Sequence, residues 1–257
     1  VRLTASGLGC PTWPECAPGS LVPTPELGFH AIVEFSNRMM SGVVAIVALL
    51  TFLFLVRLRK SRPELFWLSF SLGVLVLVQA GIGGITVLSS LESWVVGLHF
   101  ILSALMVVLA AALVWFAYLP EGRQKPIDGW IQPLAWFTAA TATITVIVGI
   151  LTTGSGPHAG DVETPRNGLP TELLEHLHAW PAYATLALTV LLVTVAWRSG
   201  FATTRNLAVW LLGTEVLQFA VGLYQSRNGL PALSVGVHMV LACILLAVLT
   251  GVVLSTI

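Results

Sequence analysis

Charge is the scarcest property of this chain. Asp, Glu, Lys and Arg together make up 9% of its 257 residues, against about 25% in an ordinary soluble domain. That scarcity excludes a water-exposed surface of normal size. Twelve basic residues balance twelve acidic ones, so the formal net charge is zero. A neutral chain carries no electrostatic footprint for nucleic acid. Cysteine is scarce as well, with three residues in all, which excludes a disulfide-dense secreted scaffold. No secretory leader is visible ahead of Thr4.

Apolar residues are abundant. They form 56% of the chain, and the mean hydropathy is +0.89. Runs of about 20 apolar residues cross a bilayer as helices. Seven are present, at 30–56, 65–88, 93–118, 130–152, 173–197, 205–225 and 232–256. The expectation is an all-α integral membrane protein.

The chain also repeats itself. Gln79 and His99 return as Gln218 and His238, each 139 residues on. Gly83 meets Gly222, and Val96-Gly97-Leu98-His99 meets Val235-Gly236-Val237-His238. More loosely, Glu34-x-x-Asn37 meets Glu175-x-x-His178, 141 residues on. The second copy has a helix at 130–152 before its loop, and the first has none. A duplicated unit of four helices therefore predicts eight in the parent, with one preceding Val1.

Basic residues set the orientation. Arg57, Arg59, Lys60 and Arg62 share one short loop, Arg123 and Lys125 a second, and Arg198 and Arg205 a third. These three loops fall on one side and hold eight of the twelve basic residues, so that side is cytoplasmic. Segments 1–29, 89–92, 153–172 and 226–231 lie outside. Cys10 and Cys16 sit in the outer segment, where a disulfide is allowed. A ring-closing disulfide is the leading expectation; two free thiols or an incomplete metal pair are the alternatives. Cys243, inside the last helix, reads as a packing residue.

On this topology His99, His238, Asn37 and His178 lie at one depth, roughly 10 Å below the outer surface at about 1.5 Å per residue. A lone histidine in an apolar helix is more often a hydrogen-bonded core residue than a ligand. Recurrence at one depth, inside lipid, favours function. Two imidazoles on facing helices suit an iron porphyrin. The second copy supplies His178 and His238, with His176 as the alternative to His178. The first supplies His99 and, opposite, Asn37, an amide that cannot replace imidazole.

Glu34 lies one turn from Asn37 and is either a helix-terminal carboxylate or a proton-handling group. Arg38 pairs with Glu34 or a propionate, or reaches the surface. Gln79 and Gln218 are expected to bridge helices. Glu215 lies in mid-helix with no stronger role than an internal hydrogen bond. Gly81-Ile82-Gly83-Gly84 permits close approach within a span. His30 and His158 read as loop residues, with His158 near a site mouth.

These residues resemble a known family. The outer segment from Arg2 to Cys16, with Cys10-Pro11-Thr12-Trp13-Pro14-Glu15-Cys16, resembles the first extracytoplasmic loop of the haem A synthases. Val33-Glu34-Phe35-Ser36-Asn37-Arg38 is similar to their Glu-x-x-His-Arg motif, with Asn in place of His. The run from Thr153 to Asp161 resembles the matching loop of the second half in actinobacterial members.

The resemblance implies two pseudo-symmetric four-helix bundles, 1–118 with its outer cysteine loop at 1–29, and 130–257, joined by a cytoplasmic linker at 119–129. It implies oxidation of the C8 methyl group of haem O to a formyl group, giving haem A for terminal oxidases. It implies a haem b on His178 and His238, and substrate-haem iron on His99. Glu34 and Arg38 would act at the substrate site beside Asn37, and Cys10 would pair with Cys16. The implied partners are haem O, haem O synthase, the lipid bilayer of the cell membrane and an electron donor such as quinol or ferredoxin. A homo-oligomer is compatible. The other readings of the histidines are a di-haem b-type cytochrome carrying electrons from quinol, and a haem transporter or chaperone.

Overall fold

The computed structural model describes residue 1 and residues 4–118, 129–157 and 164–257. The linker read at 119–129 falls outside these residues except for Gly129, as do Arg123, Lys125 and His158. The described chain is helical. Its helices are α1 Gly28–Leu55, α2 Pro63–Leu88, α3 Ser93–Tyr118, α4 Ile131–Ser155, α5 Thr171–Arg198, α6 Ala202–Arg227 and α7 Ala232–Leu254. All seven are long and apolar enough to cross a membrane, in the order the apolar runs predict. They extend beyond those runs by a turn or less, because helix ends admit residues that hydropathy rejects. Pro63 opens α2, where its missing N–H costs nothing, and Arg227 closes α6 against the negative end of the helix dipole.

Inside lipid a hydroxyl without a partner is costly. The Ser and Thr residues of these helices solve this locally. Ser36, Thr51, Thr138, Thr143, Thr194 and Thr250 each donate to the carbonyl four residues back. The large apolar side chains face outward instead, as Phe54 does at 78% exposure. That arrangement suits lipid and not water.

The described residues group into two compact units. The first takes residues 1–106 and 150–171. In it α1 packs along α2, and Cys10, Cys16 and Ala31 form a small buried cluster edged by Leu27 and Phe35. The second takes residues 107–149 and 172–257. Its core draws on four helices: Leu134 and Ala142 of α4, Leu192 and Ala196 of α5, Ala208 and Leu211 of α6, and Leu249 and Val252 of α7.

The repeat is written in the backbone too. The α2–α3 turn places Ser90 and Leu91 at φ of 53° and 60°, and the α6–α7 turn places Gly229 and Leu230 at 71° and 58°. Leu91 N–H donates to the Thr86 carbonyl at 2.7 Å, and Leu230 N–H to that of Gln225 at 2.8 Å. Every one of these positions is again 139 residues from its counterpart. Each is a helix C-cap with left-handed residues after the last turn. Only the second copy uses glycine at the first of them.

Left-handed backbone costs a non-glycine residue about 1–2 kcal/mol, and glycine returns about 0.5–1 kcal/mol of this as unfolded-chain entropy. Ser90→Gly should therefore raise thermal stability slightly. Gly229→Ala should lower it by about 1 kcal/mol. Melting curves of the purified protein in detergent check both; equal melting temperatures for parent and Gly229→Ala would count against the strain.

Candidate functional site

The second unit brings two of the predicted histidines together. His178 of α5 and His238 of α7 face each other with ring centres 6.3 Å apart and planes at 63°. His178 Nδ1 donates to the Thr145 carbonyl of α4 at 2.9 Å. A carbonyl only accepts, so this bond puts the proton on Nδ1 and the lone pair on Nε2, the form a metal ligand needs. His238 is fixed through its backbone, where Gln218 Nε2 donates to its carbonyl at 3.0 Å. The ring's Nδ1 is buried with no hydrogen-bond partner.

Glycines make room for both rings. A Cβ on Gly149 would stand 2.8 Å from His178 Cε1, and one on Gly222 would stand 3.3 Å from His238 Cε1. The spacing fits a shared metal. An imidazole nitrogen sits about 2.0–2.1 Å from its metal, and the ring centre lies about 1 Å behind the nitrogen. Two opposed rings on one ion would thus have centres about 6 Å apart. His176, the alternative, is exposed, and nothing pairs it with His238. Two residues along a helix turn the side chain by about 200°, so only one of the two could face the bundle.

The first unit repeats half of this arrangement. Gln79 Nε2 donates to the His99 carbonyl at 2.8 Å and also meets the Ser103 hydroxyl. Ser103 donates to the same carbonyl at 3.0 Å. A Cβ on Gly83 would lie 3.3 Å from His99 Cε1. The helix-bridging role expected of both glutamines is what the structure gives them, on matching carbonyls.

Glu34 and Arg38 are committed to the outer loop. Cys10 and Cys16 are joined by a disulfide, and the loop they close sits on α1. Glu34 is 4% exposed. Its Oε2 accepts the Cys10 N–H at 2.6 Å, and its Oε1 accepts Arg38 Nη2 at 2.6 Å. The same guanidinium donates to the carbonyls of Cys10 and Thr12 through Nη2, at 3.2 and 3.0 Å. Through Nη1 it donates to Pro14 and Glu15, at 3.3 and 3.2 Å. Of the three partners open to Arg38, the structure uses Glu34 and adds the loop carbonyls. Asn37, by contrast, is exposed. Three residues along a helix are about 60° apart in projection, enough for one side chain to meet the loop and the other to miss it. His30 is exposed, and its Nδ1 hydrogen-bonds the buried Ser6 hydroxyl at 2.8 Å.

Three contributors were not legible in the sequence. Thr145 acts through a carbonyl, which any residue could supply. Gly149 has no counterpart 139 positions earlier, since that position falls in the outer loop. Trp13 looked like one more loop residue, yet its indole lies so close over α2 that a Cβ on Gly84 would be 2.5 Å from it. Gly84 neighbours Gly83, which receives the His99 ring. The cystine loop therefore reaches the α2 surface beside the histidine.

Comparison with known proteins fits this geometry. Residues 1–250 match the COX15-CtaA family model, described as cytochrome oxidase assembly protein. The chain belongs to this family. A protein named heme A synthase from Symbiobacterium thermophilum is 28% identical over 243 residues, which cover 86% of this chain and 77% of that one. Proteins of the same name from Alkalihalophilus pseudofirmus and Lysinibacillus sphaericus are each 30% identical, over 48% and 58% of this chain. These two matches span less than half of those relatives' length, 41% and 48%. No solved structure matches the chain.

In this COX15-CtaA member the Arg38 fork carries most of the loop's side-chain anchoring. Lysine keeps the charge but not the planar, many-donor geometry. Arg38→Lys should speed reduction of the Cys10–Cys16 disulfide by dithiothreitol about tenfold, the equivalent of one or two lost charge-assisted bonds. Timed thiol labelling measures it. An unchanged rate would mean that the loop is held by other contacts.

Proposed function

We propose that this chain is a haem A synthase, oxidising the C8 methyl group of haem O to a formyl group for the assembly of terminal oxidases. Family membership supports the activity. One observation supports the redox cofactor: His178 and His238 face each other at a separation that suits one shared iron. On this reading the second unit, within a C-terminal bundle of residues 130–257, holds a haem b through these two side chains. Thr145 sets the His178 tautomer, and Gly149 and Gly222 admit the rings. The bound haem supplies reversible one-electron chemistry at its iron; the protein orients the group and shields it from water.

Substrate haem O belongs in the N-terminal bundle of residues 1–118, with His99 on its iron. Asn37 offers no second strong ligand, which leaves one face open. Glu34 is the buried carboxylate of the first unit among the described residues, and it handles protons during oxidation of the methyl group. Arg38 holds Glu34 and the cystine loop in one arrangement. Trp13 extends that loop over α2 and so lies above the substrate. The basic loops put the cystine loop on the extracytoplasmic side of the cell membrane. Haem O arrives from haem O synthase, and a quinol or a ferredoxin supplies electrons.

The histidine pair alone would equally serve a di-haem b-type cytochrome. Haem analysis separates the two readings. Co-expressed with a source of haem O, the purified protein should carry haem b together with haem O or its hydroxylated or formyl products. Haem b alone, in two low-spin sites, would overturn the enzyme reading.

His178→Ala and His238→Ala should each abolish the low-spin haem spectrum of the second unit, and His176→Ala should leave it intact. Gly149→Ala, which forces a contact at 2.8 Å, should reduce haem content more than Gly222→Ala does. A low-spin signal that survives both histidine variants would remove the haem from this site.

Glu34→Gln keeps an acceptor for the Cys10 N–H but has no titrating proton. It should leave haem content intact and cut haem A formation about 100-fold, the scale of lost acid–base catalysis. Parental turnover in Glu34→Gln, with the disulfide loop still ordered, would reduce Glu34 to an anchor.

A further inference from the structure

One buried acid has no part in the chemistry above. Glu215 stands at the middle of α6, 3% exposed. Its Oε1 accepts the hydroxyl of the fully buried Thr189 of α5 at 2.8 Å, and its Oε2 has no hydrogen-bond partner. No ion pair reaches it among the described residues. An ionisable side chain set this deep in a membrane span is expensive and tends to mark function.

A structural tie would not need an acid. Glutamine would accept the Thr189 bond equally well through its amide oxygen. What the carboxyl adds is an exchangeable proton. Its position gives that proton a use. Gln218, three residues on and on the same side of α6, holds the His238 carbonyl. Glu215 is therefore one helical turn from the contact that fixes an iron ligand. Charges interact strongly there, because little water screens them.

We propose that Glu215 is a redox-linked proton site for the haem held by His178 and His238. The inference rests on the haem b reading of the second unit. When a one-electron donor reduces ferric iron to ferrous, the Glu215 carboxylate takes one proton from solvent and becomes the neutral acid. Oxidation returns the electron to an acceptor and the proton to solvent. One negative charge and one positive charge enter together, so the net charge of the buried site does not change.

Few other groups could serve. Helix α4 carries no titratable side chain. Helix α7 offers His238, an iron ligand on this reading, and the half-buried Cys243. Helix α5 has Glu172, Glu175, His176 and His178 in its outer turns and Arg198 at its far end. Its Tyr183 is exposed and stacks on Phe219. On α6 itself, Arg205, Tyr224 and Arg227 lie toward the two ends.

The test is a potentiometric titration of the full chain carrying haem b, with dithionite as reductant, repeated across neutral to alkaline pH. The parent midpoint potential should fall as pH rises, by up to about 59 mV for each tenfold change in proton activity per electron. Glu215→Gln should retain its haem and show a nearly flat dependence, and Cys243→Ala should keep the parental slope. An unchanged slope in Glu215→Gln would overturn the proposal. So would a pH-independent potential in the haem-loaded parent. A parent without haem b would instead overturn the reading of the histidine site.

The reduced-minus-oxidised infrared spectrum of the parent gives a second measurement that does not depend on a variant folding. It should contain the carbonyl band of a carboxylic acid formed on reduction. The absence of such a band would count against the proposal even if Glu215→Gln cannot be purified.

Discussion

A polar group inside lipid has no water to complete its hydrogen bonds, and this constraint shapes every part of the molecule. Hydroxyls in the spans turn back on their own helices. Two glutamines find main-chain carbonyls on the neighbouring helix. An outer-loop arginine satisfies four carbonyls and a carboxylate with one planar group. The atoms that remain without partners then become informative. A buried imidazole nitrogen on His238 and a carboxylate oxygen on Glu215 are tolerable only if something else completes them.

The same logic explains why histidines meet glycines. An imidazole wide enough to hold a ligand cannot share helix-packing distance with a methyl group. Gly83, Gly149 and Gly222 leave the gaps. Small residues thus set where rings sit, and glutamines fix the backbone that carries two of those rings. Neither residue touches the ligand itself. The arrangement recurs within one chain, which indicates that the unit that was duplicated already contained it.

Much of this was legible in the sequence. Seven apolar runs became seven helices, because hydrophobic length is a direct requirement of the bilayer. The repeat put Gln79, Gly83 and His99 in register with Gln218, Gly222 and His238 before any coordinates. The choice of His178 over His176 was left open by conflicting offsets, and burial of one and exposure of the other distinguishes them. The Arg38 fork was out of reach, since its partners are loop carbonyls with no sequence mark. Thr145 was hidden for the same reason. Asn37 and Glu34 shared a helical face by spacing, yet a loop that covers only part of that face separates them.

The two left-handed turns have a consequence for how this protein can vary. Eight residues separate Leu91 from His99, and eight separate Leu230 from His238. Each turn is thus a fixed origin from which the histidine is counted out along its helix. One residue inserted in that count would swing the imidazole by about 100°, off its glycine and out of the bundle. Side chains on the outer faces of α3 and α7 can drift freely. The number of residues between turn and histidine cannot, so length, more than identity, is what these stretches must inherit.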